Sequence, residues 1–262
     1  MNSLITTPTL LLCLLFPSAL SAARTLPVPQ EENADAADPA EFLAALEAAL
    51  KERKTNDDDL RHEADGKVTE ALDHLMLDFA KYDEKQQKQV VGDISSMFKI
   101  RTQENEDRIY IGAAACLSEM GPLAEKSLKS AMGIKHLEKR SDVQVALIDA
   151  LGRHKNEKNI DLFVKLMKSP EDKIVVAAIK SLALYRDSDA KVRKQIAEEL
   201  IKAYANANNL NAKEKGKNPV FKERFYAVEV PMNEALAAIT LQSFQTSAEW
   251  EKWYNDNRSK RW

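Results

Sequence analysis

From residue 67 onward, apolar positions in this chain recur with the 3.6-residue period of amphipathic helices, and the helices come in pairs. Three ten-residue stretches carry one code: Arg108 to Leu117, Asp142 to Leu151 and Lys173 to Leu182. Each opens on a charge, runs through apolar residues with small ones in the middle, and closes on leucine. The steps between them are 34 and 31 residues. A period in that range predicts stacked supersecondary units, because one helical hairpin cannot hide all its apolar faces and must cover them with its neighbours.

The remaining elements follow from the same pattern. Asp38 and Pro39 predict a capped helix start, with Phe42, Leu43, Leu46, Ala49 and Leu50 on its apolar face. Thr55 to Gly66 breaks the pattern with Asn56, Asp57, Asp58 and Asp59, and predicts an acidic loop. Val68, Leu72, Leu75, Met76 and Phe79 form a stripe whose expected partner is Val90, Val91, Ile94, Met97 and Phe98. Three further pairs are Ile109 to Met120 with Leu123 to Met132, Val143 to Leu151 with Ile160 to Met167, and Ile174 to Leu184 with Val192 to Tyr204. A fifth is expected where Ala237, Ala238 and Ile239 repeat Ala177, Ala178 and Ile179 at a step of 60 residues. Pro231 would start its first helix, and Ala248 to Asn255 would lie in its second. Asn206 to Pro219 reads as a polar loop, and Phe221 to Val230 has no assigned element.

Val145, Ala146, Ala150, Leu151 and Gly152, with the run from Val176 to Leu182, give the chain a form that resembles HEAT repeats. The resemblance covers roughly residues 67–256 and is strongest over 106–205. It implies an all-α fold: an α-solenoid of about five HEAT-like hairpins led by an extra N-terminal helix. The expected organisation is a signal peptide at 1–23, a disordered linker at 24–38, an N-terminal helix and acidic loop at 39–66, and a repeat solenoid at 67–262 with a Trp-rich C-terminal cap.

The start of the chain adds a destination. An apolar run from Leu10 to Phe16 gives way to the small residues Ser18, Ala19, Ser21, Ala22 and Ala23, the outline of a secretory signal cleaved near Ala22 or Ala23. That predicts a periplasmic or extracellular protein with no membrane span after cleavage. Cleavage removes Cys13 and leaves Cys116 alone, so no internal disulfide is expected and the fold must rest on its core. The net charge of -3 is unchanged by cleavage, because residues 1–23 carry no charged side chain. Without a basic excess, a nucleic-acid partner is not expected. Seven glycines in 262 residues suit a helical chain.

Motifs for chemistry are sparse. His62, His74, His136 and His154 show no i, i+4 pair that could hold a metal on one helix. Counted from Asp57 as a calcium loop, the sixth and twelfth positions hold His62 and Val68 where glycine and glutamate are required. There is no nucleophile elbow and no phosphate-cradling glycine loop. Neither a catalytic residue, a cofactor nor a metal is therefore expected. The unusual chemistry lies at the end of the chain. Thr246 and Glu249 read as a capping box, and Trp250, Trp253 and Tyr254 then share one helical face, with Trp262 closing the chain. These four are the candidate partner surface. They could seal the end of the stack, or offer an aromatic platform to a sugar or partner peptide. The expected function is non-catalytic protein binding or scaffolding in the cell envelope, through the inner face of the curve and with another protein as partner. The alternatives are an accessory subunit of an enzyme or a lyase-like protein, as the resemblance allows, and a binder of envelope glycan through the C-terminal aromatics.

Overall fold

A computed structural model describes residues 38–103, 106–213 and 217–260. The expected signal peptide, all of the expected linker but Asp38, and Trp262 lie outside the described residues. The described residues are all-α, with eleven α-helices, five short 3-10 turns and no strand. The helices are α1 (Pro39–Glu52), α2 (Asp58–Leu77), α3 (Glu84–Ser96), α4 (Arg108–Glu119), α5 (Glu125–Met132), α6 (Ser141–Arg153), α7 (Ile160–Leu166), α8 (Asp172–Ala183), α9 (Ala190–Lys213), α10 (Pro219–Thr240) and α11 (Ser247–Asn257).

Local chemistry sets several starts. The Asp38 side chain accepts from Ala40 N with Pro39 in the first turn, as the sequence predicts. Capping boxes begin α3, through Asp83 and Gln86, and α11, through Thr246 and Glu249. Each satisfies donors that a helix N-terminus otherwise leaves open, a contribution of about 1 kcal/mol.

Packing runs from neighbour to neighbour. α2 lies against α4, α4 against α6, α6 against α8, and α8 against α10. α5 packs chiefly on α6 and α7 on α8, so these second helices lean on the first helix of the following unit. One continuous apolar cluster runs from Leu46 to Trp250. The sequence period reappears as the separation of residues that bond across units. Arg140 Nη1 donates to Asp107 at 2.6 Å, 33 residues away. Arg153 reaches Glu119 at 3.1 Å across 34 residues, and Lys173 reaches Asp142 at 2.7 Å across 31.

Small residues just before the closing leucine explain how close the helices come. Cys116, Ala150 and Ser181 hold the same place in the code and are all buried. Cys116 Sγ lies 3.4 Å from the Leu72 carbonyl on α2, and Ser181 Oγ lies 3.3 Å from the Ile148 carbonyl on α6. A bulkier side chain at either place would force two helix backbones apart.

Three expectations are corrected. The acidic stretch is not a loop through Gly66: Asp57 accepts from Asp59 N and Leu60 N, and α2 starts at Asp58. Its carboxylates lie at a helix N-terminus, where the macrodipole favours them. α1, the expected leading helix, packs on α2 more extensively than any other pair of helices packs, with Phe42 stacked on His74 at 4.6 Å. Asn206 is not the start of a loop, since α9 continues to Lys213. Pro231 does not begin a helix; it lies inside α10, which starts at Pro219 with Asn218 as cap. Its missing N–H costs one hydrogen bond, and α10 persists across it because Val228, Met232, Ala235 and Leu236 are buried on both sides.

Candidate binding face

The three copies of the code are buried at the same six places. In α4 these are Ile109, Tyr110, Ala113, Ala114, Cys116 and Leu117, and the corresponding residues of α6 and α8 are buried as well. The first, fourth, fifth and eighth positions share the opposite face, as i, i+3, i+4 and i+7 must on a helix. They are Arg108, Ile111, Gly112 and Ala115 on α4, then Asp142, Val145, Ala146 and Asp149 on α6, then Lys173, Val176, Ala177 and Lys180 on α8. All but Ala177 reach solvent. The repeat thus writes one outward stripe per unit, apolar or small in the middle, charged at both ends on α6 and α8 and at its start on α4.

Between α6, α8 and α10 these stripes border a groove of about 350 Å3. Val145, Val176, Ala177 and Ala227 give it an apolar lining. Tyr226 and Val230 of α10 are also exposed, at 59% and 60%. The rim is charged and mostly self-paired: Lys173 holds Asp142 at 2.7 Å, and Arg224 pairs with Asp172. Asp149 keeps access to solvent, but the protein around it raises its carboxyl above the ordinary range, against the opposing pull of Lys180 and Arg153.

The C-terminal aromatics are not presented together. Trp250 is fully buried, and its Nε1 donates to Asn233 Oδ1 on α10 at 2.8 Å. The Phe244 ring stands edge-on to Trp250 at 4.9 Å, and Trp253 lies edge-on at 6.3 Å. Tyr254 is half-buried and donates to Glu198 Oε2 on α9 at 2.9 Å. Trp250 is therefore unavailable to a partner, because its indole is spent joining α11 to α10. Periodicity put these rings on one helical face, but it could not say that this face turns inward.

The other candidates resolve into structural roles. His154 Nε2 lies 3.0 Å from the Ser118 carbonyl, and His136 packs near Tyr110. Burial pushes the Cys116 thiol up to about 12, which leaves it un-ionised and inert at neutral pH. Among the described residues no group of three or more His, Cys, Asp or Glu is placed to hold a metal ion, and no helix is long and apolar enough to cross a membrane. A cluster that the sequence did not single out is Glu106 with Arg53 and Arg61. Arg61 Nη1 reaches Glu106 at 2.7 Å, Arg53 Nη2 reaches it at 3.2 Å, and Arg53 also holds Asp65. These side chains edge an open cavity of about 790 Å3 at the α1–α2 turn, and their mutual pairing clamps the chain before α4. Their separation along the sequence left no local signal for that pairing.

No family model, no curated protein and no solved structure matches the chain.

Proposed function

We propose that this chain is an exported, non-catalytic scaffold of the HEAT-repeat kind that holds another protein on the outward face of α6, α8 and α10. One observation carries the reading: the repeated code places the same four positions of successive helices on one face, and on α6 and α8 most of them border an apolar groove with a charged rim. Contiguous apolar surface rimmed by charge is what a protein partner buries, while the rim sets register and selectivity. The burial of Trp250 weighs against a glycan platform at the C-terminus. The signal-like start of the sequence supports export to the envelope.

The test is capture from the native envelope with the mature chain as bait, compared with Val145→Glu, Val176→Glu and the control Leu77→Glu. Leu77 is 72% exposed and lies outside the groove. The expected result is a stoichiometric protein that the control retains and both groove variants lose. Capture that is equal for all four baits, or no stoichiometric protein, would overturn the proposal. Sequencing the N-terminus of the protein recovered from the envelope tests export, with a start near residue 23 or 24 expected.

A further inference from the structure

We infer that a second cavity, enclosed by α7, α8, α9 and α10, is a binding site for a small anionic amphiphile, with its apolar body between the helices and its head met by Lys168. The cavity measures about 460 Å3. That lies within the roughly 300–1,000 Å3 of small-molecule sites.

Its walls are chiefly apolar. Met167 lines it from just past the end of α7, with Val175 from α8 and Val228 and Met232 from α10, and all four are otherwise buried. Facing them is a half-exposed stripe on α9, Ala203, Ala207 and Leu210, at i, i+4 and i+7. Two of those three are alanines. A larger side chain at either place would fill the space, so the stripe holds α9 as a wall without closing the cavity. The two methionines add adaptability, because an unbranched thioether chain can follow the contour of a guest.

The charges at the cavity select the head group. Three cations line it against one carboxylate, Glu199. Arg224 is committed: it donates to the carbonyls of Ser169 and Pro170 at 2.9 and 2.6 Å and pairs with Asp172. Lys202 is held by Glu198 at 2.7 Å and by Glu199 at 3.0 Å. Lys168 is exposed and has no ion-pair partner among the described residues. The uncommitted charge is therefore positive, beside apolar walls, which suits a carboxylate or similar anion on an apolar chain and opposes a cationic one. Val175 lines this cavity while Val176 lines the groove, so the two sites lie on different faces of α8 and are tested separately.

The experiment titrates the mature protein with cis-parinaric acid, whose fluorescence rises in an apolar site, and in parallel with its methyl ester. Saturable one-to-one binding of the acid is expected. Ala207→Phe should weaken it by about tenfold or more while still melting cooperatively, and Lys168→Glu should weaken the acid by about tenfold and leave the ester unchanged. Should Ala207→Phe fail to melt cooperatively, Ala203→Leu takes its place. The inference is overturned if the acid does not saturate, if the filled variant binds as the wild type does, or if Lys168→Glu treats acid and ester alike.

Discussion

Ser181 on α8 occupies the notch that Gly152 leaves on α6: a Cβ on Gly152 would stand 2.6 Å from Ser181 Oγ and 3.2 Å from Ser181 Cα. The contact joins two equivalent helices of successive units. Gly152→Ala should gain up to about 1 kcal/mol of helix propensity. It must also displace a neighbour whose backbone is in the way, at a cost of about 1–3 kcal/mol. The clash should win, and urea denaturation should show a lower midpoint. Ser181→Gly should recover part of the loss in the double variant, and purely additive effects would rule out this contact as the cause.

The joint between Trp250 and Asn233 fixes the C-terminal cap. Trp250→Phe should cost about 1 kcal/mol, since it removes the bond to the half-buried Asn233 oxygen. Trp250→Ala should cost about 3–5 kcal/mol, since it adds a large cavity. Thermal melts followed by circular dichroism check both. Unchanged stability in the alanine variant would mean that the indole is not packed as described.

Ile179 is fully buried at the centre of α8. Ile179→Asp places an unpaired carboxylate among apolar side chains, a cost of several kcal/mol that rivals the stability of a whole domain, on the order of 5–15 kcal/mol. The cooperative melt should disappear. A normal melting curve would contradict the six-position burial pattern.

Glu125 ties α5 to the chain that follows α6. Burial pushes its carboxyl up, but bonds from Lys129 and from Asn156, each at 2.6 Å, outweigh that and hold it below the ordinary 4.5. A carboxylate whose pKa is lowered by folding adds stability above its unfolded value and loses it as the pH falls through its folded one. Glu125→Gln should therefore cost about 1–2 kcal/mol at neutral pH. The gap from wild type should narrow below about pH 4. A gap of the same size at about pH 3 and at about pH 7 would exclude this linkage.

Cys116, buried and bonded toward the Leu72 carbonyl, should resist a thiol reagent at mildly alkaline pH until the protein unfolds. Titration with Ellman's reagent with and without denaturant checks this. Rapid reaction of the native protein would show that α2 and α4 do not pack as closely as described.

What the sequence alone determined is what neighbouring residues decide among themselves. The phase of α4, α6 and α8, their buried and outward faces, and the caps at Asp38 and Thr246 follow from relations within a few residues, while the step that returns as ion pairs 31 to 34 residues apart follows from the recurrence of the code. The groove was half legible for the same reason: the code states which residues face outward, but not that Ala227 would join them from α10. Tertiary structure decided the rest. The polar run after Asn206 stays helical because α9 packs along α10, which follows it in the chain. Pro231 is carried inside α10 because buried residues on both sides offset a lost hydrogen bond. Trp250 turns inward because Asn233 is waiting for its N–H. Local periodicity fixes which residues share a face, while the direction that face takes depends on partners the chain reaches only by folding.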